Sequence, residues 1–162
     1  MIKKISWQEI ETVWRKKLWP GRSTPIETNS AMCFGGGHDM ANMITTASFF
    51  GYYLDNKIIG VNSGHGCPQT LSYRSRGLWV DKRHRGKGIG QALLQATIQQ
   101  GFKEKYEMIW SYPRQSSWST YSAVGFELQG DWHASDTAAT LGFKLAGLPK
   151  QTLNAYCFLN RK

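Results

Sequence analysis

The sequence predicts a single α/β domain over residues 1–162, a mixed sheet flanked by helices, and three observations support this. Runs rich in β-branched and aromatic residues alternate with helix-like stretches only in the second half of the chain, after a leading hairpin pattern. A glycine-rich segment flanked by cations, Asp81-Lys-Arg-His-Arg-Gly-Lys-Gly-Ile-Gly90, joins the apolar Leu78-Trp79-Val80 to a helix-like stretch from Gln91 to Ile98. The chain has 162 residues and is 41% apolar, enough for one domain that buries roughly two-thirds of its unfolded surface.

Taken in order, Ser6 is placed to cap a first helix through about Lys17, with Ile10, Val13 and Trp14 on one face and Trp19-Pro20-Gly21 as its stop. A polar segment punctuated by Gly35-Gly36-Gly37 follows, with a short helix from Asp39. Residues 47–54 and 57–63, separated by Asp55-Asn56, read as a hairpin, and residues 71–80 as a further strand. Helix is expected from Gly88 to Gln100, with Ile89, Leu93, Ala96 and Gln100 on one side. A short buried strand from Tyr106 to Tyr112 is stopped by Pro113. A helix from Gln115 to Val124, a strand at Phe126–Leu128, an unassigned stretch and a last strand at Asn154–Leu159 would complete the chain.

Composition narrows the class. No apolar run reaches membrane-spanning length and the first residues lack a signal-peptide core, so a cytoplasmic protein without membrane attachment is expected. Cys33, Cys67 and Cys157 are odd in number and widely spaced, which argues against a disulfide framework and against a metal site. Twenty Lys and Arg against eleven Asp and Glu give a formal charge of +9 and favour an anionic partner.

The segment 81–90 says which anion. Glycine lets the backbone come close, the first amides of a helix have no internal partner, and the aligned peptide dipoles place about half a positive charge there. Arg85 and Lys87 add charge, and Lys82 and Arg83 widen the field. A phosphate-bearing ligand is therefore expected at Arg85, Gly86, Lys87, Gly88, Ile89, Gly90 and Gln91. It is not the dinucleotide fingerprint, because Gln91 stands where a third glycine belongs, nor a nucleotide-hydrolase loop, because Gly88 follows Lys87.

Arg85-x-x-Gly88-x-Gly90 after Leu78-x-Val80, with Tyr121-Ser-Ala-Val-Gly125-Phe126 some thirty residues later, resembles the GCN5-related N-acetyltransferase (GNAT) family over residues 47–131. The resemblance implies the acyl-CoA N-acyltransferase fold, a mostly antiparallel sheet with a V-shaped splay, and acetyl-CoA as co-substrate. By the same resemblance, pantetheine would lie along Leu78, Trp79 and Val80, the pyrophosphate on the amides of Arg85 to Gln91, and an amide near Leu78 would hold the oxyanion. Tyr121 would be the general acid that protonates the departing thiolate, which suits a phenol that stays protonated at neutral pH. The acceptor would be a small-molecule or peptide amine.

The strand Ser72–Val80 carries no carboxylate to act as base. His65, read as lying in a loop after the second hairpin strand, is the side-chain candidate, with a water-mediated base or none as the other possibilities. Glu27 and Asp39 are alternative contacts for a cationic amine, and Arg114 stands where the family often has a cofactor-touching asparagine. A Cys33/His38 pair lacks an orienting third residue. The rival reading is a binding module on a degenerate acetyltransferase fold, for acyl-CoA or nucleic acid, since Tyr73-Arg-Ser-Arg-Gly-Leu-Trp-Val-Asp-Lys-Arg-His-Arg interleaves aromatics and cations. Nucleic acid is the disfavoured partner, and a homodimer is a further possibility.

Overall fold

Ser6 opens the first helix as its residue type dictates. Its hydroxyl accepts from the Glu9 amide at 3.2 Å while the Glu9 carboxylate accepts from the Ser6 amide at 2.7 Å, a reciprocal capping box. The computed structural model describes residues 1–134 and 152–162. Helix α1 (Trp7–Val13) widens into a π turn over Trp14–Leu18, where the Trp19 amide reaches the Trp14 carbonyl at 2.7 Å, just before Pro20.

Among the described residues seven strands form one sheet in the order β1-β2-β3-β4-β5-β7-β6. They are β1 (Ile2–Lys4), β2 (Ser48–Leu54), β3 (Lys57–Cys67), β4 (Ser72–Val80), β5 (Met108–Ser111), β6 (Glu127–Ala134) and β7 (Leu153–Asn160). Only β4 and β5 run parallel, so the sheet is mixed and mostly antiparallel. The predicted hairpin is present, and Asp55 and Asn56 take φ of 49° and 62° as its tight turn requires. Three features differ from the sequence reading. β1 is too short to carry a periodic signal, β3 runs on to Cys67 instead of ending at 63, and β6 extends to Ala134 within the unassigned stretch. The remainder of that stretch lies outside the described residues.

Helix α2 (Ile89–Lys103) covers one face of the sheet and α3 (Trp118–Ala123) packs beside it. Tyr73 and Ile109 meet Leu94, Ile98, Tyr121, Phe126 and Cys157 there, while Ile10, Trp14 and Val61 anchor a second cluster under α1. Ala96 and Gln100, expected on the inner side of α2, are only half-buried, and Thr97 and Gly101 face the sheet. Thr97 is tolerated inside because its hydroxyl accepts from the Asn62 amide group at 2.9 Å and donates to the Leu93 carbonyl at 3.0 Å. All three cysteines are free thiols.

Two irregularities shape the middle of the sheet. β4 and β5 pair only through Ser72–Met108, Tyr73–Ile109 and Arg74–Trp110. The Ser111 hydroxyl then takes the Ser75 carbonyl at 2.9 Å, and the strands part in a V. On the other side of β4, Asn62 of β3 faces two residues, Gly77 and Leu78, a bulge that bends the free arm. Gly77 has φ +77°, and its carbonyl accepts from Trp14 Nε1 at 2.8 Å; a Cβ there would lie 2.4 Å from the indole. Gly77→Ala combines left-handed strain with this overlap and should cost about 2–4 kcal/mol, measured by urea unfolding, with loss of the Trp14 near-ultraviolet signal.

Candidate functional site

The segment between β4 and α2 is built from local hydrogen bonds that leave its amides free. Asp81 caps a 3₁₀ turn (Lys82–His84), its Oδ1 accepting from the Arg83 amide at 2.9 Å and its Oδ2 pairing the guanidinium at 3.1 Å. These bonds from Arg83 hold the Asp81 carboxyl down at about 2. Arg85 Nε donates to the Val80 carbonyl at 2.9 Å, which folds its side chain back onto the end of β4. Gly86 and Gly88 have φ of +73° and +80°, and a Cβ on either would meet nothing within 4 Å, so both keep the surface open as well as permit the turn. Gly88 begins α2 with no side-chain cap, and the first-turn amides of Ile89 to Gln91 have no acceptor among the described residues. Gly90 differs: its Cβ would lie 3.0 Å from Thr120 Cγ2, so it sets the contact of α2 with α3.

The arm Leu78-Trp79-Val80 leads from the bulge to this cradle. Val80 and Trp79 are paired with Gly60 and Val61 of β3, which leaves the opposite edge of the arm facing the V. Tyr121 on α3 reaches the point where the strands part. It is 4% exposed, its ring meets Phe126 edge-on at 5.6 Å, and the helix is closed by Val124 and the left-handed Gly125, φ +103°. Burial raises the Tyr121 hydroxyl well above the ordinary phenol range, with Cys157 adding to the rise and the Ser111 hydroxyl and Arg74 charge opposing it. A proton is therefore held firmly at the apex of the V.

The segment from Glu27 to Thr45 covers the other face of the apex. Two asparagines without any signal in the sequence hold it: Asn29 Nδ2 donates to the Asn42 and Thr45 carbonyls at 2.8 and 2.9 Å, and Asn42 Nδ2 to the Ala31 and Met32 carbonyls at 3.2 and 3.3 Å, while Thr45 Oγ1 donates to the Gly66 carbonyl at 2.9 Å. Phe34 sits 5.9 Å from the rings of Trp110, Tyr156 and Phe158. Glu27 is exposed, Asp39 Oδ1 caps Ala41 at 2.9 Å, and Arg114 is exposed. Cys33 Sγ faces the Ala31 carbonyl and the Asn42 amide group, and His38 is exposed beside the glycine turn.

His65 requires a correction. It lies inside β3, fully buried, and not in a surface loop. Its Nε2 accepts from the Ser30 amide at 3.2 Å and its Nδ1 faces the Gly66 carbonyl at 3.1 Å, so the proton belongs on Nδ1. Burial, followed by the charges of Arg74 and Arg76, pushes the imidazole down to about 3. With Nε2 engaged, no lone pair is free to take a proton from an amine, and the residue tethers the covering segment to the sheet.

The interleaved stretch from Tyr73 also reads differently in three dimensions. Tyr73 is 0%, Arg74 8% and Arg76 7% exposed, so these residues line the inside of the sheet and offer no basic stripe to a nucleic acid. Burial pulls both guanidinium groups down, to about 10 for Arg74 and about 9 for Arg76, and both stay charged at neutral pH. Their spacing of two along a strand was the available sign that they share a face. Among the described residues no cluster of His, Cys, Asp and Glu side chains is arranged to hold a metal, and no helix is long and apolar enough to cross a membrane.

Residues 11–126 match the profile of the Acetyltransferase (GNAT) family. No curated protein sequence matches the chain with significance. Among solved structures, the IAA acetyltransferase from Bacillus cereus ATCC 14579 is similar at TM-score 0.66 and 10% identity, covering 99% of this chain and 98% of that one. A GNAT-family acetyltransferase from Staphylococcus aureus MU50 gives TM-score 0.61 at 15% identity over 100% and 99% of the two chains. A Bacillus subtilis acetyltransferase in complex with CoA gives 0.59 at 16% identity over 72% and 78%. At these identities the likeness is one of fold.

The buried imidazole carries a pH signature. Above about pH 6.5 both folded and unfolded chains hold it neutral, whereas between that value and about 3 only the unfolded chain takes the proton. Stability should therefore fall on acidification by up to about 1.4 kcal/mol per pH unit in that window. His65→Gln should flatten this slope in urea titrations at stepped pH.

Proposed function

This chain belongs to the GNAT family of acetyltransferases, and we propose that it moves an acetyl group from acetyl-CoA to the nitrogen of an amine by direct attack in a ternary complex. One observation carries the reading: the open edge of the β4 arm runs from the apex beside Tyr121 straight to the uncapped start of α2. An extended ligand with a thioester at one end and a diphosphate at the other fits that path. The open space at Gly86 and Gly88 and the free first-turn amides match the needs of a pyrophosphate, and a structure similar in fold holds CoA.

When bound, acetyl-CoA supplies an acetyl thioester open to attack by an amine. The chain's part begins with the Leu78–Val80 edge, which pairs with the pantetheine amides as an added strand would. An amide near Leu78 donates to the carbonyl oxygen and stabilises charge that grows there as the new C–N bond forms. As the C–S bond breaks, Tyr121 gives its proton to the leaving sulfur, and the proton shed by the amine returns through solvent to the tyrosinate. Its raised hydroxyl keeps the phenol protonated, so the proton is in place as the C–S bond breaks. Amine deprotonation is assigned to water, because His65 has no free lone pair and β4 has no carboxylate.

Tyr121→Phe should lower the rate of thiol release by about 10²–10⁴-fold while calorimetry shows acetyl-CoA affinity nearly intact. Unchanged turnover removes Tyr121 from the mechanism. Gly88→Glu places a carboxylate in the cradle and should abolish the calorimetric signal with acetyl-CoA in a protein whose circular dichroism is native; retained binding moves the diphosphate elsewhere.

A further inference from the structure

Arg74 and Arg76 both lie on the face of β4 away from α2 and both are more than nine-tenths buried, yet they are not equivalent. Arg76 is held: its Nη1 donates to the Glu27 carbonyl at 2.9 Å, and its guanidinium lies 4.9 and 5.2 Å from the rings of Trp14 and Trp19. Arg74 lies 4.9 Å over the Trp110 ring, but its Nε and Nη1 have no hydrogen-bond partner, and no carboxylate pairs with it among the described residues. Its charge is felt by Arg76, by His65, by the Cys67 thiol and by the hydroxyls of Tyr156, Tyr121 and Tyr112, none of them a carboxylate. A buried cation with idle donors is costly, and a structure keeps one where a ligand completes it.

Its position says which ligand. Arg74 occupies the last paired rung before β4 and β5 part, within the electrostatic reach of Tyr121, and Phe34 packs on its neighbour Trp110 from the covering segment. An anion bound there lies beside the apex, on the side away from α2. We propose that the acceptor is a small amine that also carries a carboxylate, an amino acid in chemical class, and that Arg74 receives the carboxylate on its unpartnered donors. The inference rests on the acetyl-transfer reading above. In an amino acid the acid and the amine are two bonds apart, so anchoring the first at Arg74 delivers the second to the apex. A polyamine or an internal amine of a peptide leaves Arg74 unpaired.

The test is thiol release by the full chain with acetyl-CoA for glycine, methionine and glutamate, each against its own α-amide and the matching amine without the acid, with aminomethylphosphonate as a further arm. The amino acids should exceed their neutral partners in kcat/KM by on the order of a hundredfold, since the neutral forms leave a buried charge unpaired. Arg74→Gln should erase that preference mainly through KM, and Arg74→Lys should keep part of it. Without ligand, Arg74→Met should melt no lower than the wild type, because it removes an uncompensated charge. A clear fall in its melting temperature marks Arg74 as a packing residue and overturns the proposal, as does equal turnover of acids and amides. Preference for the phosphonate over the carboxylates also overturns it. Release with neutral amines alone removes this inference and leaves acetyl transfer standing; no release with any amine removes both. Should Arg74→Gln and Arg74→Lys fail to fold, the wild-type panel and the Arg74→Met melt decide.

Discussion

The separation of β4 from β5 after Arg74 is the constraint on which the rest of the molecule depends. A parallel pair that continued through residues 75–80 would satisfy its own backbone and leave nothing for a ligand to pair with. Ser111 ends the ladder by capping the Ser75 carbonyl with its side chain, and from there the β4 arm has a paired edge on β3 and an open edge on the V. The sheet survives this interruption because each side of the gap is covered independently. Tyr73, Ile109 and Leu94 seal one face, and the aromatic cluster of Phe34, Trp110 and Tyr156 seals the other.

Both ends of the proposed ligand path are fixed by short-range geometry. The cradle needs only two left-handed glycines and a helix that starts without a cap, and its charged side chains are turned back onto their own segment, as Arg85 and Arg83 show. At the other end, Tyr121 is placed by a helix whose contact with α2 runs through Gly90 and Thr120. The start of α2 and the body of α3 therefore sit against each other with only the Thr120 side chain between them, so the anion-binding amides and the phenol belong to one packed unit.

What the sequence made legible follows from how local each feature is. The capping box, the Asp55-Asn56 turn, the cradle glycines and the Tyr121-to-Phe126 motif are each specified within about six residues, and each was readable. β1 was not, because three residues carry no periodicity. The insertion of β7 between β5 and β6 was not, because it is a pairing across distant parts of the chain. His65 was read as a loop residue, and Arg74 and Arg76 entered only the rival reading of a basic, aromatic stripe, for one reason: charge and polarity argue for the surface, and only tertiary partners such as the Ser30 amide and the Trp14, Trp19 and Trp110 rings explain their burial. Asn29 and Asn42 escaped notice on the same ground.

The π turn of the first helix and the bulge of β4 are each one residue in surplus over regular structure, and they meet at the Trp14–Gly77 hydrogen bond. Removing the extra residue from the helix alone would swing the indole by about 100° away from its carbonyl. Removing it from the strand alone would restore regular pairing of β4 on β3 and take away the left-handed Gly77 whose carbonyl the indole meets. The two surpluses can therefore only be inherited as a pair, and a descendant of this chain that straightens one is expected to have straightened the other.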